Sequence, residues 1–416
     1  MTSPTVTSES LAAAKRNVYV FGTVSFFNDT ASEMAYWILP AFLSSLGAGP
    51  AAMGLIEGIA ECVASLGKLL SGYLTDAVQR RKPIVVFGYL AANLMKPLLA
   101  LSTRWWQVLF IRFADRTAKG LRGTPRDVML AESVDRKKIG GTYGLLQSMD
   151  SAGAIVGPLT AWFIMARIGN IRAVFWLAAI PGAIAVMLIL LARETRVKKP
   201  DAGTMPSFWQ PARLSGRFYY VLAAVLIFSL GNSSDMFLVL RAQQIGIRAS
   251  LAPLLGLVFN TTYTLASWPA GWLSDRRSKR VIAAAGYLVF AGTYLTFALA
   301  PSQAAIWGVM ACYGLYYALT SPVLRALVVD TVEPGSRGRA FGLFYFSTSI
   351  AALLSSLITG QLWKYYGAAL PFYVSAATAT VAALMLLAGK IGDLKRGSAP
   401  EEDERTREHP ELETYH

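Results

Sequence analysis

The chain has 416 residues, of which 54% are hydrophobic and only 15% charged, with a net charge of +14. Soluble domains carry about a quarter charged residues, so this balance excludes an ordinary soluble protein and points to a membrane protein. The excess cations lie in short runs between apolar segments. That is an orientation pattern of membrane proteins, not the basic face of a nucleic-acid binder.

Cys62 and Cys312 lie inside apolar segments without a CxxC and read as packing residues. Both histidines, His409 and His416, fall in a polar tail. Neither a metal cluster nor a nucleophile–base pair can then be assembled in the apolar body, and proton handling there falls to carboxylates. No metal, no cofactor and no enzymatic activity are expected. GLRGTPR at 120–126 lacks the spacing of a P-loop, which argues against ATP-driven transport.

Residues 1–16, ending in Lys15-Arg16, resemble no cleavable signal and are expected to be a cytoplasmic N-terminus. A span needs about 20 mostly apolar residues, and twelve are expected at about 17–45, 50–75, 83–102, 105–130, 141–166, 171–192, 217–241, 250–273, 281–300, 303–327, 339–363 and 368–390. Basic runs at 79–82, 135–138, 193–199, 275–280 and 336–339 occupy alternate connections. This places both termini in the cytoplasm of a multi-pass inner-membrane protein. The connection 193–216 divides the chain into two six-helix bundles, 17–192 and 217–390, and residues 391–416 are too polar to fold alone.

The halves repeat each other. GYLTDAVQRRK (72–82) returns as GWLSDRRSKR (271–280), SEM (32–34) as SDM (234–236) and TYGLL (142–146) as AFGLF (340–344). A near-constant offset indicates a parallel duplication, a transporter architecture with substrate held at mid-membrane between the halves. Gly72, Leu74, Asp76, Arg80 and Arg81, with the second copy Gly271, Leu273, Asp275, Arg276, Arg277 and Lys279, resemble the signature of the major facilitator superfamily. Gln79 departs from it where the family commonly has glycine. The resemblance covers about 17–390 and implies an all-α membrane fold of two pseudo-symmetric six-helix bundles, most simply a monomer. In such a latch, glycine admits close helix approach and aspartate pairs with a helix terminus or an arginine at the membrane edge.

Charges inside spans are costly, about 2.5–3.5 kcal/mol each on insertion scales, and are usually functional or paired. Asp29 and Glu33 in span one, and Glu57 and Glu61 in span two, are i,i+4 pairs, each on one helical face. Lys68, Lys96, Asp150 and Asp235 add to them, with Asp235 matching Glu33 in the repeat. In span four, Arg112, Arg116, Lys119, Arg122 and Arg126 are separated by 4, 3, 3 and 4 residues and form one stripe. Facing lipid, such a stripe is prohibitive; facing a wet cavity with acids opposite, it is tolerable. These residues either form a static salt-bridge network or bind substrate and protons. Arg126 with Asp127, and Arg325 and Asp330, are expected to pair at the cytoplasmic edge. Tyr313, Tyr316 and Tyr317 are mostly expected to pack.

Arg116, Lys119 and Gly120 resemble the family's Arg-x-x-Gln-Gly, with lysine replacing glutamine, which implies a role in proton coupling for Arg116. Gly153, Gly157 and Pro158 resemble the family's antiporter Gly-x-x-x-Gly-Pro, a packing and bending element, although Ala161 and Trp162 stand where its trailing glycines would be. The resulting expectation is a proton-coupled transporter of a small polar or charged organic solute, working by antiport and hence efflux. The alternative is symport uptake of an anionic solute or a metal chelate such as a siderophore. Its expected partners are the solute, protons and the bilayer, without nucleic acid.

Overall fold

The computed structural model describes residues 8–77, 80–133, 139–194, 214–299, 302–332 and 337–389. Fourteen α-helices are present among them: α1 (Ser8–Tyr36), α2 (Leu39–Ser45), α3 (Pro50–Ala77), α4 (Lys82–Leu101), α5 (Trp105–Glu132), α6 (Ile139–Ile168), α7 (Ile171–Leu190), α8 (Gly216–Gly231), α9 (Met236–Gln244), α10 (Ala252–Arg276), α11 (Lys279–Leu299), α12 (Gln303–Asp330), α13 (Arg337–Tyr366) and α14 (Ala369–Ala388). Counting α1 with α2 and α8 with α9 as single crossings gives twelve, six on each side of the long connection.

Two of the expected spans are broken. Span one bends at Trp37–Ile38, where Pro40 opens α2 and cannot donate the next helical hydrogen bond. Span seven unwinds over 232–235 without proline. There the Ser234 hydroxyl accepts from the Met236 N–H at 3.3 Å, a local alternative to helical bonding.

Within each half, corresponding helices pack on one another. The contacts α1·α6, α1·α7, α3·α5, α4·α5 and α4·α7 are repeated as α8·α13, α8·α14, α10·α12, α11·α12 and α11·α14. Glycines with positive φ repeat as well: Gly47 (77°) with Gly246 (108°), and Gly169 (67°) with Gly367 (87°). These offsets, 199 and 198 residues, match the offset of the sequence repeat.

The halves join through α3·α13, α6·α10 and α2·α9. Their closest approaches lie toward the end carrying the positive-φ glycines, here the glycine end. A Cβ on Gly54 would strike the Ser356 carbonyl, one on Gly360 would come 2.8 Å from the Pro50 carbonyl, and one on Gly256 would strike the Trp37 ring. One apolar core runs through both halves there, joining Trp37, Phe42 and Met53 to Phe237, Phe259 and Trp363. Toward the opposite, basic end, the N-terminal half keeps a separate core around Phe21, Tyr89 and Met129, while Leu70 and Trp268 are exposed.

Among the described residues, nine crossings are long and apolar enough to span a bilayer by composition alone. The other three are α1 and α5, which carry charges, and α12, which carries the tyrosine cluster. The crossings least suited to lipid are those whose polar side chains turn inward.

Candidate functional site

The stripe of α5 is held against α3 by a crossing of two glycines: a Cβ on Gly120 would lie 2.8 Å from the Gly67 Cα. This contact brings the α5 cations to the α3 acids. Arg112 donates to Glu57 Oε1 from Nε at 2.9 Å and from Nη2 at 2.5 Å, with both side chains more than nine-tenths buried. The same arginine lies 3.7 Å from Asp115. One turn on, Arg116 lies 3.7 Å from Glu61. Arg122 turns toward α4 and lies over the Tyr89 ring at 4.0 Å, while Arg126 pairs with Asp127 at 2.9 Å and reaches Ser25.

The α1 acids are positioned by α6. A Cβ on Gly153 would meet the Phe26 carbonyl at 2.5 Å, and one on Gly157 would meet Glu33 Cβ and the Thr30 carbonyl at 2.7 Å. The helices therefore touch backbone to backbone at the level of Glu33. Glu33 Oε2 accepts from Trp37 Nε1 at 2.7 Å and from Asn260 Nδ2 of the C-terminal half at 3.3 Å. Asn260 also donates to the Ala154 carbonyl at 2.8 Å. A polar chain links α4 to α1: Lys96 Nζ donates to Asn93 Oδ1 (2.9 Å), Asn93 Nδ2 to Asn28 Oδ1 (3.3 Å), and Asn28 Nδ2 to Asp29 Oδ1 (3.1 Å). From the C-terminal half, Tyr313 donates to Asp235 Oδ1 at 2.6 Å.

These groups surround a cavity of about 400 Å³. Of the residues expected at the site, Asp29, Glu33, Glu61, Arg112, Arg116, Lys119, Arg122 and Asp235 line it together. Glu57 does not; it sits behind Arg112, 1% exposed. Asp150 also lies outside the lining, on the face of α6 that carries Gly153 and Gly157. Pro158 is inside α6. Lys96 and Tyr317 line the cavity, whereas Tyr313 and Tyr316 are buried in a ring cluster.

Residues first identified by the structure are Asp115 and Tyr36 in the lining, Trp37 as the donor to Glu33, and Asn93 in the polar chain. Asp115 was discernible from its i,i+3 spacing to Arg112. Trp37 follows Glu33 by four residues, the spacing of helical neighbours.

Of the latch residues, the side-chain environments of Gly72, Asp76, Gly271 and Asp275 lie outside the described residues. Arg80 is exposed and Arg81 buried. The Glu194 carboxylate accepts from the backbone N–H groups of Arg81 and Lys82, each at 3.0 Å, and so caps α4. Arg276 stacks on Trp272 at 3.8 Å. Asp330 pairs with Lys279 at 2.5 Å, and Arg325 donates instead to the Ser321 carbonyl of its own helix.

A helical membrane bundle of two like halves around a charged cavity is the architecture of a secondary transporter. The chain belongs to the Major Facilitator Superfamily, whose family model matches residues 21–240 and 221–413. It is 33% identical to an uncharacterized MFS-type transporter of Methanocaldococcus jannaschii over 89% of this chain and 94% of that protein. It is 24% identical to the multidrug resistance protein MdtG of Escherichia fergusonii, covering 87% and 91% of the two. Among solved structures, the fold matches the nucleoside transporter NupG (TM-score 0.70, 14% identity, 89% and 98% covered). It also matches a D-xylose–proton symporter (TM-score 0.70, 14% identity, 90% and 96% covered).

Proposed function

We propose that the chain is a proton-coupled transporter of the inner membrane that exports a small polar or charged organic solute by alternating access, with both termini in the cytoplasm and the basic end facing inward. The observation that carries the coupling is the position of Glu33. Its carboxylate belongs to α1, but one of its two donors, Asn260, belongs to the opposite half and is tied to α6 as well. Adding a proton to Glu33 removes charge from an acceptor at this seam, so its protonation state and the contact between the halves are linked. Arg116 and Glu61 stand across the same cavity as a second exchangeable pair.

Export is favoured by the full-length likeness to multidrug resistance proteins and by the tight glycine contact of α6 on α1. Uptake with protons is the second reading, favoured by the cationic wall of the cavity. The test is proton movement in energised everted vesicles challenged with a panel of small polar solutes. A solute-dependent proton efflux from the vesicle lumen, absent in Glu33→Gln, supports antiport. Proton flux of the opposite sign transfers the assignment to symport, and full coupling in Glu33→Gln removes Glu33 from the mechanism.

A further inference from the structure

The acids and bases of the cavity are unequally committed. Glu61 and Asp115 pair with arginines, Glu33 and Asp235 accept from Trp37 with Asn260 and from Tyr313, and Asp29 accepts from Asn28. By contrast, Lys96, Lys119 and Arg122 line the cavity with no described carboxylate within 4.0 Å; Asp115 acts on Lys96, and Asp29 with Glu61 on Lys119, only from beyond direct ion-pair distance. Two of these cations are buried: Lys96 is 4% exposed and Arg122 is 6% exposed.

Their positions are built. Arg122 is laid on Tyr89, and Gly88 makes room for its stem, since a Cβ there would lie 2.6 Å from Arg122 Cβ. Its Nη1 has no hydrogen-bond partner. Lys96 is steadied by Asn93 Oδ1 at 2.9 Å and faintly by the Ala92 carbonyl at 3.4 Å, neither of which neutralises it. Lys119 is exposed to the cavity. Buried cations that no acid meets directly are costly, and charges of this kind within a membrane usually mark a functional site.

We infer that Lys96, Lys119 and Arg122 form an oxyanion subsite that takes the carboxylate, phosphate or sulfate group of the transported solute. This rests on the reading of the chain as a transporter and makes the solute an acid or a zwitterion. A guanidinium fixed on a ring presents directed donors, and two ammonium groups supply charge without directional demand.

The test is a titration of the purified full chain in detergent with malonate, phosphate or sulfate at constant ionic strength against chloride, followed by apparent melting temperature. Tetraethylammonium serves as the opposite-sign control. The expected result is a saturable rise with at least one oxyanion, weakened about tenfold or more in Lys119→Gln and Arg122→Gln and retained in Lys119→Arg. Lys364→Gln, in the last turn of α13 and outside the lining, should leave it unchanged. Response to malonate alone identifies a carboxylate substrate, and response to phosphate or sulfate a tetrahedral one. No saturable rise, stabilisation by tetraethylammonium only, or a rise that survives both glutamine variants overturns the subsite; the last is the general effect of excluded salts. Should Arg122→Gln not fold, Lys119→Gln carries the test alone. Loss of the subsite beside intact Glu33-dependent proton flux leaves the transporter reading standing, and the reverse pattern overturns that reading instead.

Discussion

Arg112 and Glu57 meet between α5 and α3 through two hydrogen bonds to one carboxylate oxygen, at 8% and 1% side-chain exposure. Removing one partner strands a buried charge. Arg112→Ala or Glu57→Ala alone should each cost about 3–5 kcal/mol, while the double replacement Arg112→Met with Glu57→Leu should recover most of the loss. Apparent melting temperatures of the three variants check this, and a double variant as unstable as the singles would refute a simple buried pair.

Arg116 and Glu61 are one turn away and behave differently. Their separation is 3.7 Å, and the Glu61 side chain is 52% exposed, so the pair is worth about 0–1 kcal/mol. Arg116→Ala should therefore melt close to wild type yet lose solute-coupled proton flux in vesicles. Parallel loss of folding and flux would instead place Arg116 among the structural charges.

Gly120 and Gly67 fix how closely α5 approaches α3. Gly120→Ala should push the helices apart at a cost of about 1–3 kcal/mol. Gly123→Ala is the internal comparison: its nearest neighbour is Lys68 Cγ at 3.7 Å, an ordinary contact, so it should be tolerated. Thermal melting of the two variants side by side tests the crossing.

Trp37 has two duties, filling the space beside Gly256 and donating to Glu33. Trp37→Ala should cost about 3–5 kcal/mol through lost core volume. Trp37→Phe keeps most of the ring but no donor, and should reduce coupled proton flux with a much smaller change in melting. Equal effects of the two substitutions on both readouts would show that only the volume matters.

The spans and the α5 stripe were legible because helical periodicity and apolar length are local properties. The break at Trp37–Ile38 had a local signal in Pro40; the break at 232–235 had none, and the segment reads as continuous helix. Pairing was not legible. Glu57 and Glu61 share one helical face in sequence, yet one is sealed under Arg112 and the other opens on the cavity, a difference set by which α5 side chain each one meets. The same holds for Glu33, whose second donor lies 227 residues away, and for Glu194, which caps α4 from beyond the end of α7.

The charged face of α5 also bears on how the chain reaches its membrane. Each uncompensated cation at bilayer depth costs about 2.5–3.5 kcal/mol on insertion scales, and α5 is not among the crossings apolar enough to enter lipid unaided. Its acid partners Glu57 and Glu61 belong to α3, synthesised earlier. Integration of α5 is therefore expected to await α3, the nascent acids serving as an intramolecular chaperone for the cations that follow. Detached from its predecessor, the α5 segment should pass through the translocation channel instead of lodging in the bilayer.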